Sequence, residues 1–280
     1  MGTHGLGVEG TWLHEAANAG LRVLVATEPG LTQMRMELKL AAGEALPQYD
    51  IYYTTGLNVG TAASPRADGR AAMAPDRRSG GRGPVCLPPA SAARGVQHGD
   101  ELAVDASLWS SKGVRYGQKD VELRQVHRTC PGVPAYRSSS PSRARTRPST
   151  QLRAAGWRIR HALQVTASVD GYLAYIADSQ GEFGVCKHAC VATNTGWFSE
   201  RSAAYLASGR PVVMQETGFS RHLPCGRGLF AVAHRRRRPP QRIDEIDADW
   251  ERHARWARDL AREYLDARNV LGRMLQELAL

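Results

Sequence analysis

Three tracts without hydrophobic periodicity, at 62–108, 126–150 and 234–242, interrupt this chain, and any packed domain must be assembled from what lies between them. Long structureless connections inside a compact domain are uncommon. The first tract is rich in Ala, Arg, Gly and Pro, the composition of a linker. Val126 to Thr150 holds five Arg and no Asp or Glu, and His234 to Arg242 holds five more, again without an acid. The net charge is +10, from 37 basic and 27 acidic residues, so these two tracts carry the whole excess. A nucleic-acid binder usually spreads its basic residues over a folded face or along a helix. Nucleic acid is therefore not expected as a partner. A basic nucleic-acid-binding protein that uses the Arg tracts is the alternative function from a different class.

The tracts read as frame-shifted coding sequence. Encoded with common codons and read one base later, Gln97 to Leu102 becomes Ser-Thr-Val-Met-Asn-Trp, a strand-like run. Gly69 to Arg77, the stretch from Pro134 and His234 to Arg238 also become ordinary globular sequence when shifted. Genuine basic linkers are the alternative.

Between the tracts the chain looks like an α/β protein. Leu21 to Thr27 is a short buried-strand pattern, and Tyr49 to Thr54 is a second, turn-bounded one. Residues 109–125 and 151–233 also read as folded. A long helix follows, with Trp250, Ala254, Ala257, Leu260, Ala261, Tyr264 and Leu265 at helical spacing. No apolar run approaches the ~20 residues of a membrane helix, and the N-terminus lacks the order of a signal peptide. A cytoplasmic protein without a membrane span is expected. Five cysteines, an odd number in a chain of ordinary size, do not read as a disulfide framework.

Residues 151–233 hold the informative pattern. Leu152 to Trp157 reads as a helix end leading into a strand at Trp157 to Arg160. Val169 to Ser179 places Tyr172, Tyr175 and Ile176 on one helical face. Gly184 to Val191 is strand-like, and Thr193 to Phe198 is a polar, Gly-containing loop. Ser199 stands at the N-cap of a helix running to about Ser208. Gly209-Arg210-Pro211 ends that helix, and Pro211 to Gln215 is the next strand. This is a strand–loop–helix–strand parallel unit. Ligands bind beyond the C-terminal strand ends of such sheets, where helix N-termini point amides outward. A diphosphate there meets the start of the Ser199 helix, with Arg201 and Lys187 as counter-charge; the arginine fork suits phosphate.

The run Trp197-Phe198-Ser199-Glu200-Arg201-Ser202-Ala203-Ala204-Tyr205-Leu206-Ala207-Ser208-Gly209-Arg210-Pro211-Val212-Val213 resembles the donor-site segment of a group of bacterial GT-B type glycosyltransferases. Gly181 to His188 before it and Gln215 to Phe219 after it extend the likeness. Glu28 to Gln33 and Tyr116 to Glu122 resemble the family upstream, in the family's order. Many members carry two glutamates eight positions apart here; this chain has Gly196 and Ala204 there. The resemblance implies a Rossmann-like C-terminal domain that binds a nucleotide-diphosphate sugar, at 151–280 with C-terminal helices. It implies an incomplete, partly disordered N-terminal α/β domain on the acceptor side at 1–125, and an irregular connection at 126–150. It implies glycosyl transfer to an acceptor that the sequence does not identify.

The candidate catalytic residues are Glu182 and His188. The candidate donor-binding residues are Lys187, Gly196, Ser199, Glu200, Arg201, Glu216, Thr217 and Gly218. No separate cofactor is expected, the sugar nucleotide being substrate, and no obligatory metal, on the reading that the chain carries no Asp-x-Asp cluster. Each candidate also has a plainer role. His188 is a core or rim histidine, Glu200 a helix-dipole partner, Arg201 a surface ion-pair residue, and Gly196 and Gly218 turn residues. Cys186, His188 and Cys190 fall on one face if 184–191 is a strand, and buried cysteine is favoured over zinc. Weak or absent activity of the chain as written is expected, because the three tracts stand where strands and helices belong. A nucleotide-binding remnant without turnover is the third possibility.

Overall fold

The computed structural model describes residues 20–46, 49–64, 85–86, 109–111, 114–117, 119, 121–122, 165–233 and 239–278. The expected helix end and strand at 152–160, all of 126–150 and most of 62–108 lie outside these residues.

Two small parallel sheets organise the described residues, giving a mixed α/β fold. In the first, β1 (Val23–Ala26) pairs with β2 (Ile51–Thr54), and β2 with the two-residue β3 (Val85–Cys86). Helix α1 (Leu31–Ala41) joins β1 to β2. Strands β4 (Trp109–Ser111) and β5 (Val114–Tyr116) form an antiparallel pair. In the second parallel sheet, β6 (Glu182–Gly184), β7 (Val212–Gln215) and β8 (Leu229–Val232) lie side by side in chain order. Helix α2 (Val169–Ala177) precedes β6, and α3 (His188–Ala192) and α4 (Glu200–Ala207) fill the crossover to β7. Three helices close the chain: α5 (Pro239–Ala248), α6 (Trp250–Tyr264) and α7 (Ala267–Glu277).

The elements follow from local chemistry. The four residues of β7 are all buried, as expected for a strand covered on both faces. Ser168 caps α2, accepting the Gly171 amide at 3.0 Å. Gly209, at φ 69°, ends α4 in the left-handed conformation that costs glycine least. Helix α6 turns Ala254, Ala257, Leu260 and Ala261 inward. Ala257, Leu260 and Ala261 pack with Phe198, Leu206, Phe219 and Leu229 in the main core, where the Phe198 and Phe219 rings lie 5.3 Å apart.

Three sequence expectations change. The strand expected at 184–191 stops at Gly184, and α3 begins at His188. Cys186 and Cys190 thus sit on different elements, and the shared strand face is lost. The 234–242 tract does not break the chain throughout: α5 starts inside it at Pro239, where a helix's first turn has no need of the missing amide. The 62–108 tract contributes β3, and its Ser64 is fully buried. The long helix expected from Trp250 to Leu265 is present as α6, and after it Asp266 starts α7 by accepting the Arg268 amide at 2.8 Å.

Helix α7 packs away from the sheet that precedes it. Its Val270 and Met274 join Tyr53, Val23, Val25 and Ile51 of the first sheet. The C-terminal helix thereby ties the end of the chain to its first strands.

His253 of α6 is buried, and its Nδ1 accepts the Gly228 amide at 3.2 Å. Phe230 and Trp256 flank the ring at 5.3 and 5.2 Å. Burial lowers its pKa below the ordinary histidine value, Arg252 adds to the effect, and Glu245 and Asp249 oppose it. The neutral ring is thus the folded form. Its contribution is complete above the ordinary histidine pKa of about 6.5 and is lost as the pH falls below it. Denaturant titrations from about pH 7.5 to about pH 5 should show falling stability, with a shallower fall in H253Q. Burial and Arg221 lower the pKa of His222 as well, so H253Q keeps part of the slope. Gly228, at φ 67°, approaches α6 so closely that an added Cβ would lie 2.5 Å from the Ala257 nitrogen. G228A should therefore cost about 2–4 kcal/mol by thermal unfolding, from overpacking and left-handed strain together.

Candidate functional site

Parallel strands deliver their loops to one edge, and here the loops after β1, β2, β6 and β7 meet. Loop 55–64 from the first sheet lies against loops 193–197 and 216–218 of the second. Asn58 is the centre of this seam and is 2% exposed. Its amide donates to the Thr195 carbonyl at 2.9 Å. Its Nδ2 donates to the carbonyls of Asn194, at 2.9 Å, and Gly218, at 3.4 Å. With Nδ2 so committed, Oδ1 accepts from His222 Nε2 at 2.9 Å. Nearby, Ser64 Oγ donates to the Thr193 carbonyl at 2.6 Å and Asn194 Nδ2 to the Ala63 carbonyl at 2.8 Å.

Gly196 and Gly218 belong to this seam. Gly196, at φ 75°, gives its amide to the Thr217 carbonyl at 2.7 Å. A Cβ there would sit 2.7 Å from the Asn58 nitrogen. Gly218, at φ 97°, gives its amide to Glu216 Oε1. Thr217 Oγ1 donates to the Trp197 carbonyl at 2.6 Å. Gly196, Glu216, Thr217 and Gly218, expected as donor-binding residues, thus spend these groups on joining loops to one another.

The charged candidates lie beside the seam. Lys187 Nζ bonds to Glu28 Oε1, across from the second sheet to the loop after β1. Glu28 Oε2 also lies 3.8 Å from Arg35 Nη1 on α1. Arg201, in the first turn of α4, donates from Nε to Glu182 Oε1 at 2.6 Å. Glu182 is buried, and its Oε2 has no hydrogen-bond partner among the described residues. Ser199 is the N-cap of α4 by backbone conformation, but its side chain makes no capping bond. The first-turn amides of a helix have no partner within it and carry its positive end. Glu200 lies at this end; burial raises its pKa, while its own backbone amide, Lys119 and Arg201 oppose the rise. Lys119, Arg201 and Glu28 therefore all lie within electrostatic reach of the start of α4.

The two catalytic candidates are engaged separately. Glu182 holds Arg201. His188 Nδ1 accepts the Gly117 amide at 3.1 Å, which places the proton of a neutral ring on Nε2. That nitrogen lies 3.8 Å from Oε1 of the buried Glu122. Glu122 Oε2 accepts from Gln215 Nε2, and Gln215 Oε1 accepts the Cys186 amide at 3.0 Å. A continuous polar chain thus runs from β5 through His188 and Glu122 to β7.

Among the described residues, no group of three or more His, Cys, Asp or Glu is placed to hold a metal ion. Burial pushes the Cys186 thiol well above its usual range and the Cys190 thiol up to about 11, which leaves both protonated near neutral pH. One Asp-x-Asp triplet, Asp247-Ala248-Asp249, does occur, at the end of α5. There Asp247 accepts from Gln180 at 3.1 Å and Asp249 precedes α6. A small cavity lined by Glu182, Phe183, Pro211, Val213, Ile243 and Ile246 lies against α5. Arg242 of the third basic tract pairs with Glu245 and stacks on Phe230 at 5.4 Å. No described helix is long and apolar enough to cross a membrane.

Asn58, Glu28, Lys119 and Glu122 were missed as site residues by sequence reasoning. The last three fall in segments whose resemblance to the family had been noticed, which was the available signal. Asn58 sits in a polar loop with no motif of its own. No protein-family model, curated protein or solved structure matches the chain.

The seam makes a coupling prediction. N58A leaves buried carbonyls without a donor, at roughly 1–3 kcal/mol. G218A places a Cβ against Asn58 Nδ2 and 2.5 Å from Asn194 Oδ1. In a double-mutant cycle followed by thermal unfolding, the pair should cost less than the sum of the single changes, because N58A removes one of the two clashing groups.

Proposed function

We propose that the chain is a glycosyltransferase-like protein of Rossmann-like, GT-B type, whose nucleotide-diphosphate sugar lies at the loop edge where the two parallel sheets meet. One observation carries the reading. The start of α4 lies at that edge, with Arg201 on its first turn and Lys119 within electrostatic reach, while Lys187 stands at the start of α3 on the same crossover. Helix N-termini with adjacent cations suit phosphate. The resemblance of 181–219 to the family's donor segment supports the same face. The packing of α7 onto the first sheet also agrees with a fold whose last helix returns across both halves.

In this reading the bond between the sugar's anomeric carbon and the diphosphate breaks while an acceptor oxygen bonds to that carbon. The departing diphosphate carries the developing negative charge. Arg201, Lys187 and the first amides of α4 stabilise it, strengthening as the charge grows. Glu182 sets the direction of the Arg201 guanidinium. Glu200 lies close enough to this end of α4 to meet the ribose. His188 and Glu122 hold the α3 start, and with it Lys187, against β5 and β7.

Titration calorimetry of the full chain with UDP- and GDP-sugars tests the proposal. The full chain is needed because α7 and the seam join the two sheets. Binding should weaken roughly ten- to a hundredfold in R201Q, the ~1.5–3 kcal/mol of a charge-assisted hydrogen bond. Absence of binding by folded protein rules the proposal out.

A further inference from the structure

Lys187 is already occupied by a carboxylate from the opposite sheet, and that carboxylate has a second cation at hand. Glu28 follows β1; Lys187 precedes α3; Arg35 stands in the second turn of α1. Glu28 Oε1 bonds to Lys187 Nζ, and Oε2 lies 3.8 Å from Arg35 Nη1. All three side chains are partly exposed, Lys187 at 26%, Glu28 at 33% and Arg35 at 31%, so an ion from solvent can reach them. We propose, resting on the nucleotide-diphosphate reading above, that Glu28 is a built-in competitor for the anion at Lys187, and that Arg35 receives Glu28 when the anion binds.

The charge count supports an exchange. A phosphate carries more negative charge than a carboxylate and offers more acceptor oxygens, and a lysine ammonium is a point charge that takes either. When phosphate takes Lys187, Glu28 keeps a cation through Arg35, so neither state leaves the carboxylate unpaired. Glu28 and Lys187 also come from different sheets. Their bond therefore adds one ionic tie across the edge when no ligand is bound, and ligand entry releases it. The pair both lowers affinity for weakly charged anions and couples diphosphate binding to the contact between the sheets.

The test measures binding of inorganic pyrophosphate and of UDP to the full chain, wild type, E28Q and R35Q, at two salt concentrations. E28Q should bind pyrophosphate about two- to fivefold tighter, the range expected when a partly exposed ion pair no longer competes. R35Q should bind more weakly than the wild type, because Glu28 loses a second cation and competes harder for Lys187. Charge alone gives the same two signs, so E28Q/R35Q decides: exchange predicts that R35Q has little effect once Glu28 is gone, and additive shifts overturn it. If E28Q does not fold, E28D, which keeps the charge but shortens the reach, should shift affinity in the same direction as expected for E28Q. Wild type and E28Q binding equally, or E28Q binding more weakly, overturns the competitor role while leaving the nucleotide reading intact. Absence of pyrophosphate and UDP binding in every folded variant overturns both.

Discussion

The Asn58 side chain is the hub of a polar seam between loops of the two parallel sheets, which the bridge between Gly56 and Trp197 also joins. Asn58 satisfies the carbonyls of Asn194 and Gly218, receives His222, and gives its own amide to Thr195. The two parallel sheets do not share a ladder, so their relative position rests on this polar seam and on the apolar contacts beside it. Leu31 and Met34 of α1 meet Tyr116 and Ala189 near one side. Val270 of α7 meets Tyr53 of β2 in another contact. The apolar groups supply burial, and the seam supplies direction, since buried amides are costly unless paired. The glycines at 196 and 218 follow from this constraint: a side chain at either position would collide with Asn58.

The same convergence of loops brings the charges together. Lys187 and Arg201 come from the second sheet's crossover, Glu28 from the first sheet, and Lys119 and Glu122 from the segment between. Their positive groups are mostly met by acids, as at Lys187–Glu28 and Arg201–Glu182. Leaving several cations together unneutralised is unfavourable in a partly buried face.

Much of the scaffold was legible from periodicity. β1, β2, β7, α2 and α4 fall where alternating or helical apolar spacing put them, because each buries a face set by its own residues. The strand expected at 184–191 is not formed beyond Gly184: Val185-Cys186 and Ala189-Cys190 flank the polar pair Lys187-His188, a spacing nearer to helical than to alternating. Its helical turn is held by distant partners: Cys190 Sγ under the Pro29 carbonyl at 3.6 Å, and Gly117 on His188. Arg201 and Lys187 could be picked out as cations near a helix start. Their partners could not, for Glu28 and Glu182 reach them only through tertiary placement. The seam itself has no sequence signature, because Asn, Thr, Ser and Gly in a loop are ordinary until a second loop is placed against them.

The central claim is that the edge joining the two sheets is also where an anionic nucleotide binds. Amide hydrogen exchange on the full chain, with and without saturating UDP, addresses it most directly. Slower exchange concentrated in 198–203, 186–190 and 27–31, with 241–265 unchanged, is the predicted result. Slowing confined to α5 and α6, or spread evenly along the chain, would contradict it.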